Sequence, residues 1–214
     1  MKLMLAPLRN TILGVSFFLA AMATTSFSVN EARPFQILPD SQLYLKGTSN
    51  VAPFTCNCQQ NFPPLQYSLA IRPKNQLATF QNTSLQLETK KLDCGNRGMN
   101  RDMHQTLKAS EYPTISIRLE EVQWKANQWP DEPQNYGSLA AKATLSVAGV
   151  SRLVKLNVNA RETGKDTYRF VSELAIKMTD FGIDPPTALM GLIKVDDKIL
   201  IHLDLAVRIE EAAF

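Results

Sequence analysis

The feature that most limits what this chain can fold into is an alternation of apolar and polar residues, repeated segment after segment. PTISIRLEEV sets Ile115, Ile117 and Leu119 against Ser116, Arg118 and Glu120. GSLAAKATLSVAG sets Leu139, Ala141, Ala143, Leu145 and Val147 against Lys142, Thr144 and Ser146. RLVKLNVNA repeats the pattern through Val154, Leu156 and Val158, and DKILIHLDLAVRI carries it from Ile199 to Ile209 with His202, Asp204 and Arg208 opposed. Successive side chains on a strand point to opposite faces, so each run has one apolar face and one solvated face. That is the signature of antiparallel strands covering a core on one side.

Earlier segments extend the set. QLYLKGTSN, QYSLAIRP and TSLQLETKKL read as strands, and YRFVSELAIKM puts Tyr168, Phe170, Leu174 and Ile176 on one face. VAGVSR and ETGKDT are short, turn-forming breaks of the kind that join hairpins. NRGMNRDMHQTLKASEYP breaks the pattern, because Met99, Met103 and Leu107 recur at helical spacing before Pro113. A short helix at about 97–109, covering an opening or edge, is expected there. With one helix available, about eight long one-sided strands must bury their apolar faces against each other. An all-β, closed antiparallel barrel does so and removes exposed edges. MTDFGIDPP, residues 178–186, is too apolar for an ordinary loop and too broken by Gly182, Pro185 and Pro186 to be strand. It is expected to close one end.

The N-terminus reads as an export signal. Lys2 and Arg9 precede the apolar run ILGVSFFLAAMA, and Ala21-Met22-Ala23 supplies a small-x-small cleavage pattern. The expected signal peptide is residues 1–23, with a second cleavage position near Ser28, leaving a barrel domain at 35–211 that is periplasmic or secreted. Loss of Lys2 and Arg9 leaves the two charge signs nearly balanced, which gives no electrostatic footprint for nucleic acid. Phe214 ends the chain as in many outer-membrane barrels, but it shares the even parity of His202, Asp204 and Arg208, and the strands lack aromatic girdles. No stable membrane insertion is expected. Homodimerisation is left open.

Cysteine usage agrees with an oxidising compartment. One disulfide from Cys94 to the pair in FTCNC is expected, with Cys56 preferred over Cys58, although residues two apart share a face and sequence does not settle the partner. Three cysteines and two distant histidines, His104 and His202, make no metal site. Nucleophile–base pairs and clustered carboxylates do not stand out, so the chain reads as a binding protein rather than an enzyme, with no cofactor required.

Eight strands enclose an interior just wide enough to be filled by side chains or to hold one small ligand. Small inward residues, Ala141, Ala143 and Ser172, favour a cavity, and apolar walls favour an apolar ligand. The expected lining is Tyr67, Leu69, Ile71, Ile117, Leu119, Ala141, Ala143, Leu156, Phe170, Leu174, Phe181, Leu203 and Leu205. Arg97 and Arg101, near the helix start, are candidates for an anionic head group, supported by free backbone N–H groups. The competing reading is a filled barrel that binds a partner, with Trp129 and Tyr136 of ANQWPDEPQNYG as contacts.

Four motifs in order also carry a resemblance. LKGTSNVAPFTC, GMNRDMHQTLKASEYPTISIRL, LSVAGVSRLVKLNV and MTDFGIDPPTALMGLIKVDDKILIHLDL resemble the bacterial YceI-like family over Leu43 to Ile209. The resemblance implies a lipocalin-like barrel of eight strands, exported to the periplasm. Its elongated cavity would accept amphiphilic polyisoprenoids such as isoprenoid quinones or prenyl phosphates. FTCNC and LDCG are similar to a cysteine-bearing subset of the family, and the long connection ANQWPDEPQNYG departs from a tight hairpin.

Overall fold

A computed structural model describes residues 32–125, 137–188 and 190–210. The expected signal peptide, Trp129, Tyr136 and Phe214 lie outside the described residues. Thirteen strand segments build the molecule: β1 (Arg33–Ile37), β2 (Gln42–Ser49), β3 (Pro53–Cys58), β4 (Leu65–Arg72), β5 (Leu77–Gln81), β6 (Ser84–Glu88), β7 (Leu92–Asp93), β8 (Thr114–Trp124), β9 (Gly137–Val147), β10 (Val150–Gly164), β11 (Thr167–Lys177), β12 (Thr187–Ala188) and β13 (Ile193–Ile209), with one helix, α1 (Arg97–Thr106).

Every pairing is antiparallel, and the ring β1–β4–β5–β8–β9–β10–β11–β13 closes through the β13–β1 pair. The expected eight-stranded barrel is therefore present, but three of its walls are interrupted. β1 and β2 lie end to end along β13: Ile37 faces Val207, and Gln42 faces Asp204 after a jog at 38–41. β3 continues into β4, and β5, β6 and β7 follow one another beside that pair, from Leu77 opposite Arg72 to Leu92 opposite Cys58. Side chains bridge the interruptions. The Ser41 hydroxyl accepts from Ala206 N at 2.9 Å, and the Gln60 amide accepts from Glu88 N at 2.7 Å while donating to the Gln86 carbonyl at 3.0 Å. Polar groups that the ladder leaves unpaired thus find partners, as burial near a sheet requires.

The opposite arc, β8 to β11 with β13, is continuous. β9 pairs with β10 along the whole of its length, from Val147–Val150 at one end to Gly137–Ala160 at the other. Their two-residue turn, Ala148–Gly149, has positive φ at both positions, the geometry that matches strand twist. Gly149 has a second reason: a Cβ there would lie 2.6 Å from the Tyr112 ring. Inward faces follow the sequence parity. Ala143 and Ala160 are fully buried, with Leu145, Leu156 and Leu203 beside them. Ser172, the polar residue among them, donates to the Asn157 carbonyl at 2.9 Å. Outside, Arg169 grips Asp204 at 2.6 Å and Asp40 at 3.0 Å, and His202 stacks on Tyr44 and meets Glu173. His202 and Asp204 are thus on the polar face, as their parity predicts.

The helix ends at Thr106, three residues short of the expected limit at 109. Leu107 caps it and Lys108 adopts φ +49°, so the chain turns before reaching Pro113.

Candidate functional site

The interrupted side of the barrel holds a cavity of about 360 Å³. Its walls come from the inward parity of four strand groups: Leu43 and Leu45 of β2, Phe54 and Cys56 of β3, Ile115, Ile117, Leu145 and Val147 of β8 and β9, and Ile199 and Ile201 of β13. Helix α1 closes one flank with Met99, Met103 and Leu107, so the methionine stripe covers an opening as its spacing predicts. The segment 178–186 closes another. Met178–Phe181 form a single 3-10 turn ended by Gly182 at φ +66°, which buries Met178, Phe181 and Ile183. This turn is held from outside: Arg152 Nε donates to the Asp180 carbonyl at 2.9 Å, and the Asp197 carboxylate accepts from Thr179 N at 2.9 Å and Thr179 Oγ1 at 2.7 Å. The two donors of Thr179 hold the Asp197 carboxyl below the usual carboxylate range.

A disulfide joins Cys56 of β3 to Cys94 just before α1, and both sulfurs' residues line the cavity. Met103 Sδ lies 3.6 Å from Cys94 Sγ. Cys58 is a free thiol of intermediate exposure, and burial pushes its pKa up, which favours the protonated form. The start of α1 is fixed by Asn96, whose side chain accepts from Gly98 N at 2.8 Å and Met99 N at 3.2 Å. Asp93 accepts from Asn100 Nδ2 at 2.7 Å and Gly95 N at 2.9 Å, which lowers its pKa.

Polar groups on the lining are few: Ser49, Asp102, Thr106 and Thr187. None of them is buried, so they belong to the opening and leave the interior apolar. Such a cavity solvates a hydrocarbon chain and offers hydrogen bonds to a polar end left outside. Among the described residues there is no group of three or more His, Cys, Asp or Glu that could hold a metal, and no helix long and apolar enough to cross a membrane.

The predicted lining is only partly brought together here. Ile117 and Phe181 line the cavity. Ala141, Ala143, Leu156 and Leu203 are buried core, and Leu119 and Leu174 pack against them, all outside the cavity lining. Tyr67, Leu69, Phe170 and Leu205 are half-buried or partly open and lie toward the other end of the barrel, where Tyr67 meets Phe35 edge-on and Phe170 stacks with Tyr168. Ile71 keeps its face but is 53% exposed, because it sits opposite Ala78 at the far end of β4.

The head-group expectation needs two corrections. Arg97 and Arg101 lie on the face of α1 away from Met99 and Met103, in a second groove with Lys90, Asn100, His104, Gln105 and Lys108. A hundred-degree turn per residue separates the two stripes. The backbone N–H groups expected to be free at the helix start are those of Gly98 and Met99, which Asn96 already caps. Arg101 reaches back to the cavity rim through Asp102, at 3.4 Å.

Known proteins place this geometry. A family model described as the YceI-like domain matches residues 22–207. Two solved structures share the fold at a TM-score of 0.58. One is BcnA of Burkholderia cenocepacia, with 14% sequence identity over 78% of this chain and 95% of that one. The other is a polyisoprenoid binding domain from Saccharophagus degradans implicated in plant cell wall breakdown, with 13% identity over 82% of this chain and 98% of that one. No curated protein matches the sequence.

Proposed function

The chain belongs to the YceI-like domain family, and from that premise we propose that it is an exported binding protein that holds an amphiphilic isoprenoid lipid, of the quinone or prenyl phosphate type, in its cavity. The observation that carries this reading is an apolar cavity of about 360 Å³ whose polar lining groups are confined to the opening. A volume near the lower end of ligand pockets suits a chain that enters end-on and leaves its polar head at the rim. Each buried methylene contributes about 0.8 kcal/mol, so a few isoprene units outweigh the ordering cost without any single essential contact. The described polyisoprenoid-binding relative shares the fold, which supports the ligand class. Phe181 and Ile117 are assigned to the wall against the hydrocarbon. At the rim, Asp102 is paired with Arg101, so no uncompensated carboxylate faces an anionic head.

Export is supported by the leader-like N-terminus and by the Cys56–Cys94 disulfide, which persists in an oxidising compartment. The test is mass spectrometry on protein purified from its own host without detergent, with the intact complex compared with its organic extract. A stoichiometric isoprenoid is expected. An empty protein that also takes up neither a quinone nor a prenyl phosphate would overturn the proposal in favour of a filled, partner-binding barrel.

A further inference from the structure

The cavity has a floor, and the height of that floor limits what the cavity can hold. On β8, β9 and β13 the last lining residues are Ile117, Leu145 and Ile201. The next residues of the same inward parity, Leu119, Ala143 and Leu203, are outside the lining and belong to the packed core. Leu119 pairs with Ala143 across β8 and β9, one inward step below the pair of Ile117 and Leu145. Ala143 is fully buried, and Ser172, opposite Leu203, turns its hydroxyl to the Asn157 carbonyl at 2.9 Å. A small residue on the wall lets the side chains across the barrel come close, so the interior at this level is packed rather than empty.

Two measures of the space above the floor agree. The lining of β2 runs from Ser49 to Leu43, about 20 Å of strand at about 3.3 Å per residue, which is about 15 Å of depth for strands tilted by about 40°. An extended chain advances about 1.2 Å per bond, as a polypeptide does over the three bonds of a residue, so that depth takes about twelve bonds, or about three isoprene units. The volume, about 360 Å³, holds about a dozen carbon-sized groups if each takes about 30 Å³, as a water molecule does in the liquid. That is about two and a half five-carbon units.

We propose that the floor is a chain-length ruler: the protein selects isoprenoids of about three units, and Leu119 and Leu203 set the limit. The inference rests on the lipid-binding reading and narrows its ligand. Units beyond that length stay at the opening and add little, because burial is what makes each methylene contribute.

The test is the affinity of the detergent-free protein for geranyl, farnesyl, geranylgeranyl and geranylfarnesyl monophosphate, each below the concentration at which it self-associates, read by native mass spectrometry. Affinity should rise at least about tenfold from geranyl to farnesyl and less than about threefold at each longer step. L119A and L203A lower the floor, so geranylgeranyl should then gain at least about tenfold over farnesyl. I117F raises it, so farnesyl should lose its advantage over geranyl. Cooperative melting checks that each variant folds, and I117F, which fills space rather than removing contacts, carries the test if the alanine variants do not. Wild-type affinity that keeps climbing to geranylfarnesyl overturns the ruler and leaves lipid binding standing, as does a limit that stays at farnesyl in every folded variant. Refusal of all four prenyl phosphates and of quinones overturns the binding reading and the ruler with it.

Discussion

The two arcs of this barrel solve the same problem with opposite means. The continuous arc, β8 to β11, closes its interior with small residues such as Ala141, Ala143 and Ala160 packed to nearly zero exposure. The interrupted arc and the helix beside it carry large residues, Leu43, Phe54, Leu92 and Met103 among them, and these enclose the cavity together with Leu145, Val147 and Ile199 at one end of the continuous arc. Empty space therefore does not follow small side chains. It lies where a helix rather than strand side chains completes the wall, beside the short segments β3, β6 and β7. Small residues on a continuous wall instead let the opposite side chains come close, which is the packing density of an ordinary core.

The contrast can be broken or sharpened by experiment. The largest effect belongs to the covalent tie of the interrupted arc. Cys94→Ser opens a loop of 38 residues in separation, and the chain-entropy estimate for its loss is about 4 kcal/mol. Hydrogen exchange should show α1 and β3 losing protection first while β9 and β10 keep theirs. Uniform loss would mean that the arcs are one cooperative unit. Next, Ala143→Trp should cost about 3 kcal/mol in chemical denaturation, because it overpacks a fully buried site on the continuous wall. By comparison Ala188→Trp, on the cavity rim, should change stability by less than about 0.5 kcal/mol and abolish lipid uptake. If the two substitutions exchanged their effects, the cavity would have been assigned to the wrong arc.

The smallest effect is a pH response. Asp93 and Asp197 are held below the ordinary aspartate value of about 3.9 by the hydrogen bonds that anchor α1 and the 178–181 turn. A depressed folded value means that their contribution is complete above about pH 4 and is lost as pH falls through the folded value. Amide shifts of Gly95 and Thr179 should therefore move together below about pH 4 and stay flat from 5 to 8. Glu120, lowered by Thr144 on the continuous wall, should titrate without local opening, because the β8–β9 ladder holds those strands.

Much of this fold was legible in the sequence because parity is local. Whether Leu145 or Lys142 points inward is decided by its neighbours along the chain, and the helix stripe of Met99, Met103 and Leu107 is decided the same way. The cavity was less legible because parity tells which face a residue is on and not how high along the barrel it sits. Ala141, Ala143, Leu145 and Val147 share one face, yet Leu145 and Val147 line the cavity and the alanines do not. Height comes from register between strands, a long-range property. The interruptions that set it, at 38–41 and 59–64, look in the sequence like ordinary connections. Arg97 and Arg101 were misplaced for a related reason: nearness to the helix start did not say which stripe they occupy.

The disulfide is a component of the cavity wall as well as of the skeleton. Cys56 is 2% exposed, and the bridge borders the space assigned to the lipid. A reductant that attacks from the inside must first enter that space, so an occupied cavity is a chemical shield for the bond that shapes it. If the proposed lipid fills that space, reduction from the cavity side should be slower in the loaded protein than in the empty one. Cargo and covalent frame would protect each other.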